Sequence, residues 1–146
     1  VCTEDRQVGL TTPDIARRIL EEVCSMNEDF TWKLRCAVVM PDHLHLLVML
    51  GSRIPLGKTV SRLKSKTSAV LAASQHKLEW ERDFFDHRLR PSEERLDVFL
   101  YLFLNPYRAG LCPRIECWPG YYCCEEDWEW FRTMLDQDRP VPEWLA

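Results

Sequence analysis

The sequence lacks any apolar run that approaches the roughly 20 residues of a membrane-spanning helix. It also lacks the pattern of a signal peptide, and it contains neither an internal repeat nor a low-complexity segment. These absences argue against a membrane, secreted or repeat protein. What remains is a chain of 146 residues, 46% hydrophobic and 29% charged, which is enough for one globular domain with a buried core.

The cysteines do not form a recognisable framework. The chain has seven, an odd number at irregular spacings: Cys2, Cys24, Cys36, Cys112, Cys117, Cys123 and Cys124. Disulfide frameworks are typical of short secreted chains, so we expect reduced thiols and a cytoplasmic location. A zinc site built from Cys112, Cys117 and the adjacent pair Cys123 and Cys124 is an alternative, although these spacings match no common zinc motif.

Acidic residues are missing from one long stretch of an otherwise acidic chain. The net charge is −4, which argues against indiscriminate coating of nucleic acid. Between Asp42 and Glu79, however, there is no acid at all. Six cations occupy this stretch: Arg53, Lys58, Arg62, Lys64, Lys66 and Lys77. Acids gather instead near the C-terminal end: Glu125, Glu126, Asp127, Glu129, Asp136 and Asp138. The distribution therefore indicates one locally basic surface.

Periodicity, proline positions and turn residues predict an ordered series of elements. The predicted order is helix 13–25, strand 31–40, strand 43–50, helix 56–73, a strand or loop 80–90, a helix from a cap at 91–94 to about 104, and a short helix near 125–136. Trp32, Leu34, Cys36 and Val38 are expected on one face of their strand. The dipeptide Asn105-Pro106 is expected to end its helix, because the residue before proline is driven out of the α region.

This order predicts the fold class. A strand ahead of residue 7 would complete a βαββαβ arrangement, an α+β, ferredoxin-like antiparallel sheet with helices packed on one face. Val1-Cys2-Thr3 would then be the stub of that first strand, which we expect to be truncated at this end of the chain.

Two of the four histidines stand one residue apart in an apolar run. Side chains alternate along a strand, so His43 and His45 share one face at a spacing of about 6–7 Å. Histidine is the commonest metal ligand, which makes a metal site one interpretation. A pair of strand histidines satisfied by hydrogen bonds is the other, and the spacing does not decide between them.

The end of the predicted helix that runs to about residue 104 supplies further candidate residues for a metal site. Tyr101 and Asn105 lie four residues apart, one helical turn from each other. Asn105 is a candidate third ligand, and Tyr101 a candidate nucleophile for a phosphorus whose oxygen a divalent ion polarises.

Three segments resemble a known family. Met-Pro-Asp-His43-Leu-His45 is similar to the HUH motif (histidine, hydrophobic residue, histidine) of the single-tyrosine HUH transposases. Tyr101-Leu-Phe-Leu-Asn105-Pro-Tyr-Arg-Ala-Gly resembles the tyrosine segment of their REP-associated branch, and residues 80–90 resemble another stretch of that branch. The resemblance covers nearly the whole chain. It implies one domain over 1–146, with a catalytic core at about 1–111 and a tail rich in Trp, Cys and acids at 112–146.

The resemblance also implies an activity and its residues. A bacterial, nucleoid-associated enzyme of DNA transposition would cleave and rejoin single-stranded or hairpin DNA of the repetitive extragenic palindromic kind. His43, His45 and Asn105 would hold Mg²⁺ or Mn²⁺, and Tyr101 would form a 5′-phosphotyrosine. The expected DNA contacts are Lys58, Arg62, Lys66, His87, Arg88, Arg90 and Arg108. Monomer and homodimer both stay open.

Two other functions compete with this one, and a purely structural reading would take both histidines, Tyr101 and Asn105 as packing residues. A histidine-triad nucleotide hydrolase needs a third alternating histidine, and Leu47 occupies that position. A domesticated protein could bind repeat hairpins without cleaving them, and the sequence does not separate such a binder from an enzyme. For the basic residues of the 56–73 helix, a solvated helix face is the alternative to a track for phosphates.

Overall fold

The computed structural model describes residues 1–135. Its elements are α1 Pro13–Glu28, β1 Trp32–Met40, β2 His43–Leu50, α2 Leu56–Ala72, α3 Arg95–Arg108, β3 Tyr121–Cys123 and α4 Glu125–Phe131, with 3-10 turns at Glu4–Arg6 and Arg132–Met134. No helix within this described part is long and apolar enough to cross a membrane. All seven cysteines lie in it, and each is a free thiol.

The sheet is antiparallel, in the order β2-β1-β3. The N-terminal residues extend it beyond β2, because Cys2 bridges to His43 and Thr3 bridges to Trp80, both antiparallel. The backbone N–H of Leu44 donates to the carbonyl of Val1 at 2.8 Å. Residues 1–3 therefore lie between β2 and the segment around Trp80, where the predicted first strand belongs. The α+β, ferredoxin-like sheet is confirmed.

The first two helices pack on one face of this sheet through an aliphatic core. This core joins Ile15, Ile19 and Val23 of α1 and Leu63 and Leu71 of α2 to the inward side chains of the sheet, which are Leu34, Ala37, Val39 and Leu44. The predicted boundaries of both strands and of α2 agree with the structure to within one residue. The predicted start of α1 is also correct, and the helix continues three residues beyond its predicted end.

The other two helices lie on the opposite face, so the prediction that all helices share one face is wrong for α3 and α4. Their core is aromatic, and Phe99 and Phe131 are its largest buried side chains. It meets the sheet at Cys36, Val38 and Met40. The physical reason is that β1 is buried on both faces: every residue from Cys36 to Met40 is buried, a pattern of two-sided strands.

A β-bulge corrects the predicted faces of β1. Pairing with β2 shifts register between Leu34 and Cys36, so one extra residue, Arg35, stands in β1. Leu34 therefore belongs with Trp32 to the α1–α2 core, and Cys36 to the α3–α4 core. The four alternating residues expected on one face are split two and two.

Helix α3 has different boundaries from those predicted. Glu93 does not cap it, because its carboxylate accepts hydrogen bonds from the backbone N–H of Arg90 and the ring of His87. The helix begins at Arg95 and runs through Pro106 to Arg108, beyond the predicted end at Asn105. Proline removes one backbone donor there. Packing compensates, since Pro106 is buried and its carbonyl accepts the N–H of Leu111 at 2.9 Å.

A buried carboxylate ties the C-terminal part to both neighbours. Asp127 of α4 is fully buried and contacts Arg35 of the bulge and Arg95 at the start of α3. Two nitrogens of Arg35 reach the carboxylate at 2.5 Å each. The helix predicted near 125–136 ends at Phe131 and passes into a 3-10 turn. Asp136 and Asp138 lie outside the described residues.

Candidate active site

The two histidines share one strand face, as their spacing predicts. His43 pairs across the sheet with Met40, and His45 pairs with Val38. Both partners belong to the aromatic core, so the imidazoles point to the side of the sheet that α3 covers. Leu44 between them is buried in the opposite core. The strand thus uses the intervening leucine as an anchor and presents both rings to the tyrosine helix.

The ring nitrogens converge on one another. His43 Nε2 and His45 Nε2 are 3.1 Å apart. Two nitrogens bound side by side to one ion at about 2.1 Å stand about 3 Å apart, so this spacing suits a shared divalent cation. Its chemistry fits as well, because imidazole nitrogens are ordinary ligands for such ions.

A carboxylate lies behind the first ring. Asp42 Oδ1 is 2.6 Å from His43 Nδ1, and Asp42 Oδ2 is 2.7 Å from Arg6 Nε. Burial raises the pKa of Asp42, but the hydrogen bond from His43 and the nearby positive charges outweigh it and leave this pKa below its usual value. The site therefore contains an ionised carboxylate at neutral pH.

The second ring is neutral near pH 7. Burial, together with the charges of His43, the N-terminal ammonium group and Arg6, lowers the pKa of His45 to about 4. A neutral imidazole keeps a lone pair for a metal ion, whereas an imidazolium has none. His45 is thus in the protonation state that metal binding requires.

The tyrosine helix brings Tyr101 to the histidines. The ring centroids of His45 and Tyr101 are 5.7 Å apart, and the rings meet edge to face. Tyr101 keeps 47% of its surface exposed, so a substrate can reach its phenol. The guanidinium of Arg108, two turns further along α3, lies 5.9 Å from the centre of the same ring. His45 of β2 and Tyr101 of α3, 56 residues apart in sequence, therefore lie side by side.

Asn105 follows Tyr101 by one turn of α3 and is half-buried. Its place as a third ligand stays a prediction. Within residues 1–135, no group of three or more His, Cys, Asp or Glu side chains could hold a metal. The alternative zinc site at Cys112, Cys117, Cys123 and Cys124 is therefore wrong. Any ion at the histidine pair would need an amide, phenol, water or substrate oxygen to complete its shell.

The basic stripe of α2 lies in the other layer. Arg62 contacts Asp29 at 2.5 Å, and Lys66 approaches Glu22 of α1 at 3.5 Å. These contacts join α2 to α1 and to the residue that follows α1, on the sheet face away from His45. Lys58 is exposed. Contact of these three cations with DNA stays a prediction, and two of them already have acidic neighbours.

The segment before α3 is irregular from 81 to 94, apart from short turns. His87, Arg88 and Arg90 are exposed there, and His87 Nε2 lies 2.6 Å from a carboxylate oxygen of Glu93. Lys64 of α2 anchors the start of the segment by donating to the carbonyls of residues 81, 82 and 83. The exposed side chains of His87, Arg88 and Arg90 are accessible to a ligand, and their role in DNA binding stays a prediction.

Sequence reasoning missed Arg6 and Asp127. The contact of Arg6 with Asp42 depends on a turn that has no glycine or proline to mark it. Asp127 was visible only as one acid in a charged tail. A sequence signal does exist for Asp42, which directly precedes the first histidine.

Known proteins resemble this chain in sequence and in fold. A profile of the family described as "Transposase IS200 like" matches residues 1–90, which include both histidines and end before Tyr101. A Haemophilus influenzae protein named as a REP-associated tyrosine transposase is 25% identical over 104 residues, covering 63% of this chain and 59% of the relative.

The solved structure of a REP-associated tyrosine transposase bound to a REP hairpin superposes with a TM-score of 0.62 at 17% identity. The match covers 77% of this chain and 66% of that one. At this level of identity the similarity shows the fold. The chain spans less than two thirds of the length of each of these two relatives.

Proposed function

Since the chain belongs to the IS200-like transposase family, we propose that it cleaves and rejoins single-stranded DNA, with Tyr101 as its nucleophile. The observation that carries the proposal is the placement of Tyr101 beside His45, with ring centroids 5.7 Å apart. An exposed phenol next to two converging imidazole nitrogens suits phosphoryl transfer to tyrosine, because a cation held by the imidazoles would activate the phenol.

In the proposed reaction, Tyr101 Oη attacks a backbone phosphorus of the DNA. The bond between phenolic oxygen and phosphorus forms while the bond from phosphorus to the 3′ oxygen breaks. The phenol loses its proton, the 3′ oxygen gains one, and the 5′ end stays attached as a phosphotyrosine. Attack by a 3′-hydroxyl on this linkage reverses the step and joins two strands without ATP.

The residues around the tyrosine support this step. The edge of one ring against the other restricts the orientation of Tyr101, and the guanidinium of Arg108 lies 5.9 Å from the centre of the Tyr101 ring, where its positive charge favours the ionised phenol. His43 and His45, with Asn105, would hold a divalent ion such as Mg²⁺ or Mn²⁺. When bound, that ion would polarise the phosphate oxygen and favour the ionised phenol.

Hairpin DNA is the substrate we propose. The relative with known structure is bound to a REP hairpin, and this chain shares its fold. The exposed residues His87, Arg88 and Arg90 are candidate phosphate contacts because they lie on the segment that leads into the nucleophile helix.

The test is a covalent adduct. Labelled hairpin DNA is incubated with wild type, with Tyr101→Phe and with the matched control Tyr107→Phe, which removes a phenol from the same helix. Wild type and the control should form a species that survives denaturation. Tyr101→Phe should form none while it still binds the hairpin, because only the attacking oxygen is lost.

Two outcomes would overturn parts of the proposal. An adduct with Tyr101→Phe equal to that of wild type would exclude Tyr101 as the nucleophile. Tight hairpin binding by wild type without any adduct, in Mg²⁺ or Mn²⁺, would favour a domesticated binder over an enzyme.

A further inference from the structure

The turn that precedes α1 is strained. Asp5 and Arg6 follow one another with φ angles of 53° and 56°, in the left-handed region that non-glycine residues rarely adopt. Strain of this kind persists only where surrounding contacts over-determine it, and it is concentrated at functional sites. The contacts of this turn show what holds it in the left-handed conformation.

A buried threonine holds the turn against the strand hairpin. The backbone N–H of Thr3 donates to the carbonyl of Asp42 at 2.9 Å. Its hydroxyl lies within hydrogen-bond distance of the same carbonyl and of the carbonyl of Gln7, at 3.0 and 2.7 Å. Thr3 is fully buried, so these bonds are shielded from water. They fix both ends of the turn relative to Asp42.

The turn positions the guanidinium of Arg6 beside the carboxylate of Asp42. Arg6 Nε lies 2.7 Å from Asp42 Oδ2, and the other oxygen of this carboxylate lies 2.6 Å from His43 Nδ1. A second nitrogen of Arg6 lies 2.8 Å from the sulfur of Cys2. One carboxylate thus links the strained turn to the first histidine of the pair.

This chain of contacts determines where the imidazole carries its proton. A carboxylate can only accept, so His43 Nδ1 is the donor to Asp42, and in the neutral ring Nε2 carries the lone pair. That lone pair faces His45 Nε2, 3.1 Å away. Arg6 in turn occupies the carboxylate oxygen that His43 does not use, which limits rotation of the carboxylate.

We infer that Arg6 and Asp42 are positioning residues that hold His43 in its Nδ1–H tautomer, with Nε2 presented for a cation. The purpose of this arrangement rests on the proposed function, but the arrangement itself does not. Carboxylates behind ligating histidines are known to strengthen metal binding by fixing the ring and its tautomer.

The first measurement needs neither metal nor DNA. Nitrogen-15 chemical shifts of the histidine rings report the tautomer of His43 in the metal-free full chain. Wild type should show Nδ1–H. Asp42→Asn keeps an acceptor oxygen and should largely retain this tautomer, whereas Asp42→Ala should lose its preference. Nδ1–H persisting in Asp42→Ala, or Nε2–H in wild type, would overturn the inference.

The second measurement is Mn²⁺ binding, followed by the loss of the free-ion electron paramagnetic resonance signal. We expect Asp42→Ala to weaken Mn²⁺ binding by about 10- to 100-fold and Arg6→Gln by less, since Arg6 acts through the carboxylate. The control is Arg17→Gln, which removes a guanidinium that pairs with Asp14 and Glu21 on the surface of α1. It should bind Mn²⁺ as wild type does.

These results separate the inference from the proposed function. If Asp42→Ala binds Mn²⁺ within twofold of wild type, the positioning role is wrong even when the enzyme is active. If wild type shows the Nδ1–H tautomer but forms no DNA adduct, the proposed function fails and the positioning role stands. Asp42→Asn, together with Arg6→Lys, provides conservative variants in case the truncations do not fold.

Discussion

The two faces of the sheet use charge in different ways. On the α1–α2 face the core is aliphatic, and the cations of α2 meet acids of the α1 end at the surface, as in the contact of Arg62 with Asp29. On the α3–α4 face the core is aromatic, and Arg35 meets a fully buried carboxylate, Asp127. The first kind of pair is screened by solvent, and the second is not.

The difference indicates on which face of the sheet the exact position of a helix matters for the candidate site. The aliphatic layer contributes none of the side chains of the candidate site, although Leu44 anchors β2 in it between the two histidines. The aromatic layer holds α3 at the distance that places Tyr101 against His45. Asp127 contacts both the bulge in β1 and the first residue of α3, so it fixes the helix relative to the sheet. Three predictions test this difference between the two faces of the sheet.

The largest effect is expected at the histidine pair. We expect His45→Ala to reduce adduct formation on the order of a hundredfold or more, since a metal ligand is lost. His76→Ala, which removes an exposed histidine beyond the end of α2, should retain wild-type activity. Adduct yield is measured with and without chelator, and chelation should abolish it until Mg²⁺ or Mn²⁺ is restored. Chelator-resistant cleavage would refute the metal role.

An intermediate effect is expected at the buried carboxylate. Asp127→Ala leaves Arg35, itself largely buried, without its partner. Loss of one member of a buried ion pair costs about 3–5 kcal/mol, so the free energy of unfolding should fall by that amount in a urea titration. If the loss is no larger than that of the surface variant Asp29→Ala, the two faces do not differ as described.

The smallest effect is expected on the α2 stripe. Arg62→Gln should lower the free energy of unfolding by no more than about 1 kcal/mol, because the ion pair with Asp29 is at the surface. The salt dependence of hairpin binding should change less for Arg62→Gln than for Arg90→Gln, which should reduce the slope by about 1. Equal slopes would place the stripe of α2 at the DNA.

Local signals predicted the α1–α2 half of the fold well. Proline at the first helical position, the Pro41-Asp42 turn and regular apolar spacing depend only on neighbouring residues, and they located the elements up to α2. The bulge at Arg35 has no such signal, because a bulge depends on what the partner strand and the docked helix require. Its consequence, the split of Leu34 and Cys36 between two cores, was therefore missed.

The α3–α4 half of the fold was predicted less well, because tertiary packing outweighs the local sequence signals there as well. Asn105-Pro106 is a strong local signal for a helix end, yet the helix continues to Arg108 with Pro106 buried. The unbroken apolar run from Cys36 to Met40 did indicate a strand covered on both faces, and it could have placed α3 opposite α1. For the site, spacing alone suggested both residue pairs. Arg6 could not be found, since arginine does not mark a left-handed turn and a single aspartate, although it tolerates that conformation, is too common to locate one.

The most direct test of the account is to identify the residue that carries the DNA. The covalent adduct is trimmed with nuclease, digested with trypsin and analysed by mass spectrometry. The peptide 96–108 contains both Tyr101 and Tyr107, so fragmentation within it decides between them. We expect a nucleotide phosphate on Tyr101. A nucleotide on Tyr107, or on any residue outside this peptide, would contradict it.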